Sequence, residues 1–292
     1  MKFLRKFNEH TYYEAEVNRV GVDISLPNVS YCEDVKDVHY LPYNFVRFYV
    51  GEITGTTPQT VKIYTDSSTS VDIQVSESNK WYTYALPKDK GLYQIEGDSV
   101  KKVVVKSDFS YKGNSTYPMT DRHIIPQSTV EASFKGSNTS KVENMGSMFA
   151  FCSGLTYLDI SNFDTSNVTK MGFMFYNCEG LTSLVLSGLN VSNVVDMQGI
   201  FQSCSRLETL NLSGWDTSKV TDMGGMFSDC SGLTSLDLSG FDTRNVTNMR
   251  SMFDGCSNSL NIRMIGCSTE TVGKIQNQLT ADGITGATIT TK

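Results

Sequence analysis

Five cysteines recur at intervals of 26 residues in the second half of the chain: Cys152, Cys178, Cys204, Cys230 and Cys256. Methionine, phenylalanine, leucine and valine keep the same interval, so the period belongs to a whole structural unit. A period of roughly 20–50 residues predicts a solenoid, a propeller or another repeat array. The complete repeats are 145–170, 171–196, 197–222 and 223–248, and a fifth begins at Met249.

The repeat 223–248 illustrates what each unit is expected to form. Its first apolar residues are spaced like one face of a helix and predict about two helical turns: Met223, Met226, Phe227 and Cys230. The segment 233–238 alternates leucine with polar residues and predicts a strand, and a polar turn follows at Asp242. None of these elements can bury its apolar side alone, so stacked neighbours must form one continuous core.

The consensus sequence of the repeat is specific. Asn-Met-x-x-Met-Phe-x-x-Cys-x-x-Leu-x-x-Leu-x-Leu-Ser-x-Phe-Asp-Thr-Ser-Asn-Val-Thr resembles the BspA-like leucine-rich repeat family over about residues 144–256. The resemblance implies a surface protein with an adhesive or binding role, and it does not imply catalysis. One turn departs from the pattern, because 189–191 reads Leu-Asn-Val where the other repeats have Phe or Trp, Asp and Thr.

The cysteine column is best interpreted as packing, since free cysteine behaves as a small hydrophobic residue. The chain has no Cys-x-x-Cys pair of the kind that holds zinc. Its seven cysteines are an odd number, which does not suit a complete disulfide framework. One alternative stays open, a bond between Cys256 and Cys267 in an oxidising compartment.

Residues 1–43 are predicted to form an adaptor, with mixed helical signals over 7–18 and strands over 26–34 and 38–43. The segment Leu-Pro-Asn-Val-Ser-Tyr-Cys-Glu-Asp, followed by Val-His-Tyr, resembles the N-termini of virion structural proteins from crAss-like and other phages of gut Bacteroidales. This resemblance implies attachment to the particle through capsid or tail proteins. The alternative is a small hairpin that belongs to the next domain.

The remaining chain divides into three predicted parts, and the fold class is mixed α+β. Residues 44–115 alternate as a small, Ig-like β-sandwich spacer, with strands at 45–50, 60–64, 71–75, 81–85 and 103–106. Residues 116–127 are a linker. Residues 128–292 form the leucine-rich-repeat solenoid, with an N-terminal cap at 128–143 and a C-terminal cap at 257–292. The second cap should contain a helix over 269–279 between strands at 260–265 and 287–291.

Charge excludes several classes of partner. The net charge is −6, and residues 144–256 account for all of it, with eleven acidic and five basic residues. An acidic stack does not suit nucleic acid or anionic lipid, which require clustered lysine and arginine. The N-terminus lacks the apolar core of a secretory signal, and no stretch is apolar enough to span a membrane. We therefore expect no membrane insertion, and lysis of a host as the route by which the protein leaves a cell.

No residue pattern predicts an enzyme, a cofactor or a metal site. The three histidines, His10, His39 and His123, lie in no catalytic motif. The recurring carboxylates of Asp164, Asp216 and Asp242 are expected to cap turns, with a calcium ladder as the alternative.

The candidate binding face consists of the outward strand positions between the inward leucines: Tyr157, Asp159, Ser183, Val185, Thr209, Asn211, Ser235 and Asp237. These positions predict two columns on an open sheet, a surface that solenoids use for binding. The alternative is that this face is simply exposed to solvent and binds no ligand.

Together the patterns and resemblances predict a protein of the phage virion surface, in a head fibre, decoration or tail appendage. Residues 1–43 would anchor it, and the solenoid would contact a host surface protein or glycan. We expect a homo-oligomer, and the resemblance to phage virion proteins implies a trimer. The alternative is a BspA-like adhesin on a bacterial cell surface.

Overall fold

The computed structural model describes residues 2–6, 12–16, 45–53, 58–86, 90–109, 111, 113 and 123–292. Within these residues the protein is mostly β, with one short helix, α1 (Thr269–Ala281). The predicted mixed α+β class is therefore corrected to a mostly β fold. Its second half is a β-solenoid of about seven turns.

The N-terminal residues form an antiparallel hairpin of β1 (Lys2–Lys6) and β2 (Tyr12–Glu16). The helical signal over 7–18 was wrong at these residues, because β1 supplies a pairing partner that a local pattern does not reveal. Tyrosines at the start of β2 also favour a strand. The predicted strands over 26–34 and 38–43 lie outside the described residues.

Six strands follow in two antiparallel groups: β3 (Phe45–Val50), β4 (Gln59–Tyr64), β5 (Ser70–Val75), β6 (Lys80–Ala85), β7 (Gln94–Glu96) and β8 (Val100–Lys106). One group has the order β5-β4-β7, and the other contains β8-β3-β6. The five predicted strands are confirmed. The sequence did not predict β7, because three residues are too few for alternation to register. Buried side chains from both groups, such as Phe48 and Ile63, belong to one core.

The sheet of β8, β3 and β6 continues into the solenoid. β9 (Glu131–Ser133) pairs in parallel with β8, and β10 (Tyr157–Asp159) pairs with β9. At the end of the predicted linker, Ile124 and Ile125 are fully buried, and the Ile124 amide donates to the Met148 carbonyl at 2.8 Å. The first coil of the solenoid is thus built directly on the edge of the preceding sheet.

Each coil of the solenoid stacks on the next with a register of one repeat. Residue 131 pairs with 157, and residue 209 with 235. The strands β11 (Thr209–Asn211), β12 (Ser235–Asp237), β13 (Asn261–Arg263) and β14 (Thr288–Thr290) form a second parallel sheet in this order. The 26-residue period of the sequence is therefore the circumference of one coil.

The predicted helix in each repeat is wrong. In the coil 223–248 the backbone makes successive tight turns, with Gly225 and Asp229 in the left-handed region at φ 62° and 58°. A right-handed helix cannot pass through such residues. The amide of Phe227 donates to the carbonyl of Met252 in the next coil, whereas the amide of Met226 closes a turn on Met223. The apolar spacing predicted the buried side chains correctly but not the backbone that buries them.

Phenylalanine and cysteine form two of the side-chain columns in the solenoid core. Five phenylalanine rings stack with centroid distances of 5.6–5.8 Å: Phe149, Phe175, Phe201, Phe227 and Phe253. Beside them run the five thiols of the cysteine ladder, all buried and unbridged. The Cys204 thiol, for example, donates to the Phe175 carbonyl of the preceding coil at 3.2 Å. The packing interpretation of the cysteine ladder is confirmed.

The C-terminal coil contains α1, which begins and ends close to its predicted bounds. The Ser268 hydroxyl caps it by accepting from the Thr271 amide at 3.1 Å. Ile275 and Leu279 are fully buried against the last coils. The predicted strands on either side are confirmed as β13 and β14.

Candidate binding surfaces of the solenoid

The structure brings the eight predicted residues of the candidate binding face onto one side of the stack. Six of them lie in β10, β11 and β12, with the intervening leucines pointing into the core. Tyr157 and Val185 are the most exposed apolar members, with 57% and 73% of their surface accessible. The predicted strand at Ser183 and Val185 is wrong, because residues 181–186 belong to no strand.

Three members of this face also hold the coil together. The Asp159, Asn211 and Asp237 side chains each accept a hydrogen bond from the backbone amide two residues later, at 2.9–3.1 Å. Such Asx turns fix the corner where the strand ends. The carboxylate of Asp237 also pairs with Arg263 at 2.8 Å. These side chains are therefore structural as well as exposed.

Val185 occupies the same position in the coil 171–196 but offers no side-chain acceptor. The corner hydrogen bond made by Asp159, Asn211 and Asp237 cannot form there. This is the physical reason for the interrupted strand, and it leaves a branched apolar side chain in solvent. The face is therefore a polar sheet with one apolar break, formed by Val185 and Tyr157 of the adjacent coil.

A second column of Asx turns confirms the predicted capping role of the recurring carboxylates. Asp164, Asn190, Asp216 and Asp242 each accept from the amide two residues later at 3.0 Å. Hydrogen bonds from the serines at 166 and 218 lower the pKa of Asp164 and Asp216, and hydrogen bonds from Arg244 lower the pKa of Asp242. Asn190 in the same column accepts the same hydrogen bond without a charge. Turn capping, rather than a calcium ladder, therefore explains the column.

The Asn-x-Ser/Thr triplets of the repeats also have a structural role. The Asn167 side-chain amide donates to the Ser140 carbonyl one coil back at 2.8 Å, and the Asn245 side-chain amide donates to the Ser218 carbonyl at 2.7 Å. Thr165 and Thr217 donate to carbonyls of the following coil at 2.9 Å. The coils are thus fastened by side-chain ladders in addition to the backbone.

Sequence reasoning missed a second surface, a groove lined by the turns at the start of successive repeats. It has a volume of about 330 Å³ and crosses four coils. We call it the amide groove and define it by its lining residues: Phe173, Tyr176, Gln198, Gln202, Gly224, Gly225, Ser228, Asn248, Arg250 and Ser251. The available signal was one repeat position that reads Ser, Phe, Gly, Gly and Ser through the five repeats. Two successive glycines below an aromatic residue leave a hollow there.

A smaller cavity of about 310 Å³ lies where the first coil meets the preceding sheets. Glu96, Asp98 and His123 line it together with Gln94 and Gln127. In the described part of the chain, no three His, Cys, Asp or Glu side chains are placed to hold a metal ion. This cavity brings polar groups together without a recognisable metal geometry.

The thiols of the ladder are poor nucleophiles. Burial raises the pKa of Cys152, Cys204 and Cys256 to about 12, and it is the thiolate that reacts or binds metal. The predicted alternative of a Cys256–Cys267 bond is not formed: Cys256 donates to the Phe227 carbonyl at 3.1 Å and Cys267 to the Leu238 carbonyl at 3.3 Å.

The helix α1, the one helix of the described ranges, is too short and too polar to cross a bilayer. The model of a family described as "Mycoplasma protein of unknown function, DUF285" matches residues 126–187 and 181–282. No curated protein and no solved structure matches the chain.

Proposed function

The chain belongs to the DUF285 family, and from that premise we propose that it is a surface-displayed binding protein. The solenoid acts as a rigid scaffold, and its candidate binding face contacts a protein or glycan on a cell surface. The protein binds and does not catalyse. The observation that carries this proposal is the apolar break at Val185 in an otherwise polar sheet face.

An exposed valine at this position is unfavourable for folding. Asp or Asn at the equivalent corner of the other coils makes a hydrogen bond to the backbone, worth about 0.5–1.5 kcal/mol net. Val185 forgoes that bond and exposes most of its surface, and Tyr157 of the preceding coil is the other exposed apolar residue of the face. Features that break a local rule at a cost in stability are expected where function requires them.

The solenoid is suited to hold such a contact rigidly. Stacked aromatic rings, thiol hydrogen bonds and asparagine ladders fix each coil against its neighbours. Rigid surfaces lose little conformational entropy on binding, so a small apolar anchor within a polar rim can give useful affinity.

We place the protein on the surface of a phage virion, with residues 1–43 as the anchor to capsid or tail proteins and residues 44–115 as an Ig-like spacer. The solenoid with its two leucine-rich-repeat caps then faces outward, in a homo-oligomer. The resemblance of the N-terminal segment to phage virion proteins supports this location. The family description, which names Mycoplasma proteins, supports the alternative of a BspA-like adhesin on a bacterial cell surface.

The substitution Val185→Asp tests the binding face. It should restore the corner hydrogen bond and raise the unfolding midpoint, while it weakens attachment of the purified protein to host cells. Val71→Asp is the matched control, because Val71 is an exposed valine on β5, in a sheet that contains no strand of the solenoid. This variant should change neither the attachment to host cells nor the corner hydrogen bonds of the solenoid. Unchanged attachment by the Val185 variant would refute the role of this face.

Deletion of residues 1–43 distinguishes the two locations. The truncated protein should still fold, as judged by circular dichroism, but should be absent from purified particles. Truncated protein found in particles at the full-length level would refute the anchor. Export of the full-length chain by a bacterial host without lysis would favour the adhesin.

A further inference from the structure

The amide groove has the form of a ligand site, and nothing in the proposed binding face uses it. Its volume of about 330 Å³ lies at the lower end of the roughly 300–1,000 Å³ that is common for ligand pockets. Its floor is backbone at Gly224 and Gly225, and its aromatic wall consists of Tyr176, which is half-buried, backed by Phe173, which is buried.

The aromatic wall is held firmly in place. The Tyr176 ring stands at 85° to Phe151 and at 89° to Phe173, with centroid distances of 5.1 Å and 6.0 Å. The Phe173 ring lies so close to Gly199 that a Cβ atom there would come within 2.5 Å of it. The ring therefore extends over the next coil and closes one end of the groove.

The polar side chains of the groove differ in whether they make hydrogen bonds within the fold. Asn248 is occupied within the fold, because its amide donates to the Asp222 carboxylate at 3.0 Å and accepts from the Arg250 amide at 3.1 Å. The side-chain amides of Gln198 and Gln202 make no hydrogen bond within the described part of the chain. Both glutamines are half-buried, and each can donate two hydrogen bonds and accept two.

The backbone of the floor is already paired between coils. The Gly199 amide donates to the Gly224 carbonyl at 2.8 Å, and the Gly225 amide donates to the Arg250 carbonyl at 2.9 Å. A peptide could not bind here by adding a strand, since that mode needs unpaired backbone groups. The ligand has to be recognised by side-chain amides, hydroxyls and an aromatic wall.

The charges around the amide groove further narrow the chemical class of its ligand. Arg250 is the one charged residue among those lining the groove, and the surrounding repeats carry the protein's net negative charge. A polyanion is repelled by that field, and a cation finds no carboxylate in the lining. A neutral ligand with many hydroxyls and one apolar face fits both the amides and the rings.

We propose that the amide groove binds a neutral saccharide of mono- or disaccharide size. The glutamine amides would exchange hydrogen bonds with ring hydroxyls, and the C–H face of a pyranose would pack on the exposed part of the Tyr176 ring. This deepens the proposed attachment function by giving the solenoid a glycan site separate from the Val185 face.

The test uses the full-length protein and five neutral probes: lactose, maltose, cellobiose, mannobiose and diacetylchitobiose. Binding is detected by saturation-transfer NMR and measured by calorimetry. At least one probe should bind with millimolar or better affinity, whereas 3′-sialyllactose and an uncharged hexapeptide should not.

Gly225→Asn should fill the groove without disturbing the fold. A Cβ atom there would lie 3.5 Å from the Gln202 side-chain oxygen, an ordinary contact, and Asn177 already adopts φ 57° in this protein. Gly240→Asn is the matched control: its φ is +86° and a Cβ atom would meet nothing within 4 Å.

We expect Gly225→Asn and Gln202→Ala each to weaken saccharide binding about tenfold or more, which is ~1.4 kcal/mol, and Gly240→Asn to leave it unchanged. Thermal melting checks that each variant is folded. Failure of all five probes to bind, unaltered affinity in the groove variants, or preference for the sialylated sugar or the peptide would overturn the proposal. Val185→Asp leaves the amide groove intact. Loss of cell attachment in that variant and loss of saccharide binding in the groove variants are therefore independent results.

Discussion

Replacing Phe201 with alanine should remove more stability than the same change at the end of the ring stack. Phe201 is fully buried, and its ring lies between Phe175 and Phe227 at 5.6 Å and 5.8 Å, with interplanar angles of 3° and 4°. Phe253 is equally buried but stacks on Phe227 alone, at 5.7 Å. Phe201 also contacts the Trp215 ring, with centroids 6.3 Å apart. The two sites therefore share one burial contribution and differ by two ring contacts.

The magnitudes follow from these contacts. A buried Phe→Ala change costs about 3–5 kcal/mol, and each aromatic pair contributes ~0.5–1.5 kcal/mol beyond its buried area. We expect Phe201→Ala to cost about 4–5 kcal/mol and Phe253→Ala about 1–2 kcal/mol less, since the end position lacks two ring contacts. For a chain of this size the central variant should then melt ~10–15 °C lower.

Urea unfolding followed by circular dichroism measures both variants against the parent protein. Because repeat arrays can unfold in parts, the comparison uses the midpoint of the solenoid transition. Equal losses at the two positions would refute the reasoning, since burial alone would then account for both.

The remaining predictions concern the thiols and the Asx corners. Under native conditions at pH 8, a disulfide reagent should leave the thiols of Cys152, Cys204 and Cys256 unmodified, because burial raises their pKa to about 12; rapid modification of all of them before unfolding would contradict this packing. Asp242→Ala should lower the melting temperature more than Asp242→Asn, since asparagine keeps the bond to the Arg244 amide, and equal losses would exclude the corner bond as the cause. The lowered pKa of Asp242 means that its contribution is complete above about pH 4 and is lost as the pH falls through the folded-state value, so the parent should lose stability on acidification more steeply than the asparagine variant does.

The repeat period allowed much of the architecture to be predicted, because a fixed interval fixes which residues stack. The buried columns of phenylalanine, cysteine and leucine, and the helix at 269–281, all follow from spacing. The backbone of each coil did not follow. An i, i+3, i+4, i+7 pattern reports which side chains share a face, and turns through Gly225 and Asp229 place them on one face as well as a helix does.

The candidate site was only partly accessible to sequence reasoning. Alternation predicted the exposed residues of the strand face, but the importance of Val185 appears only when it is compared with the hydrogen-bonded aspartates of the neighbouring coils. The amide groove depends on how Phe173 lies over Gly199 in the next coil. Contacts between repeats at different positions are set by tertiary packing, which the period alone does not determine.

The direction of the hydrogen bonds between coils has a mechanical consequence. These bonds run from one coil to the next, parallel to the solenoid axis. A force along that axis therefore acts on the bonds of one coil at a time and peels the coils apart in sequence. A sideways pull on the face instead loads several coils at once through the side-chain ladders and the ring stack. A tether that carried a particle in flow would therefore resist most force when the solenoid lies across the direction of the load.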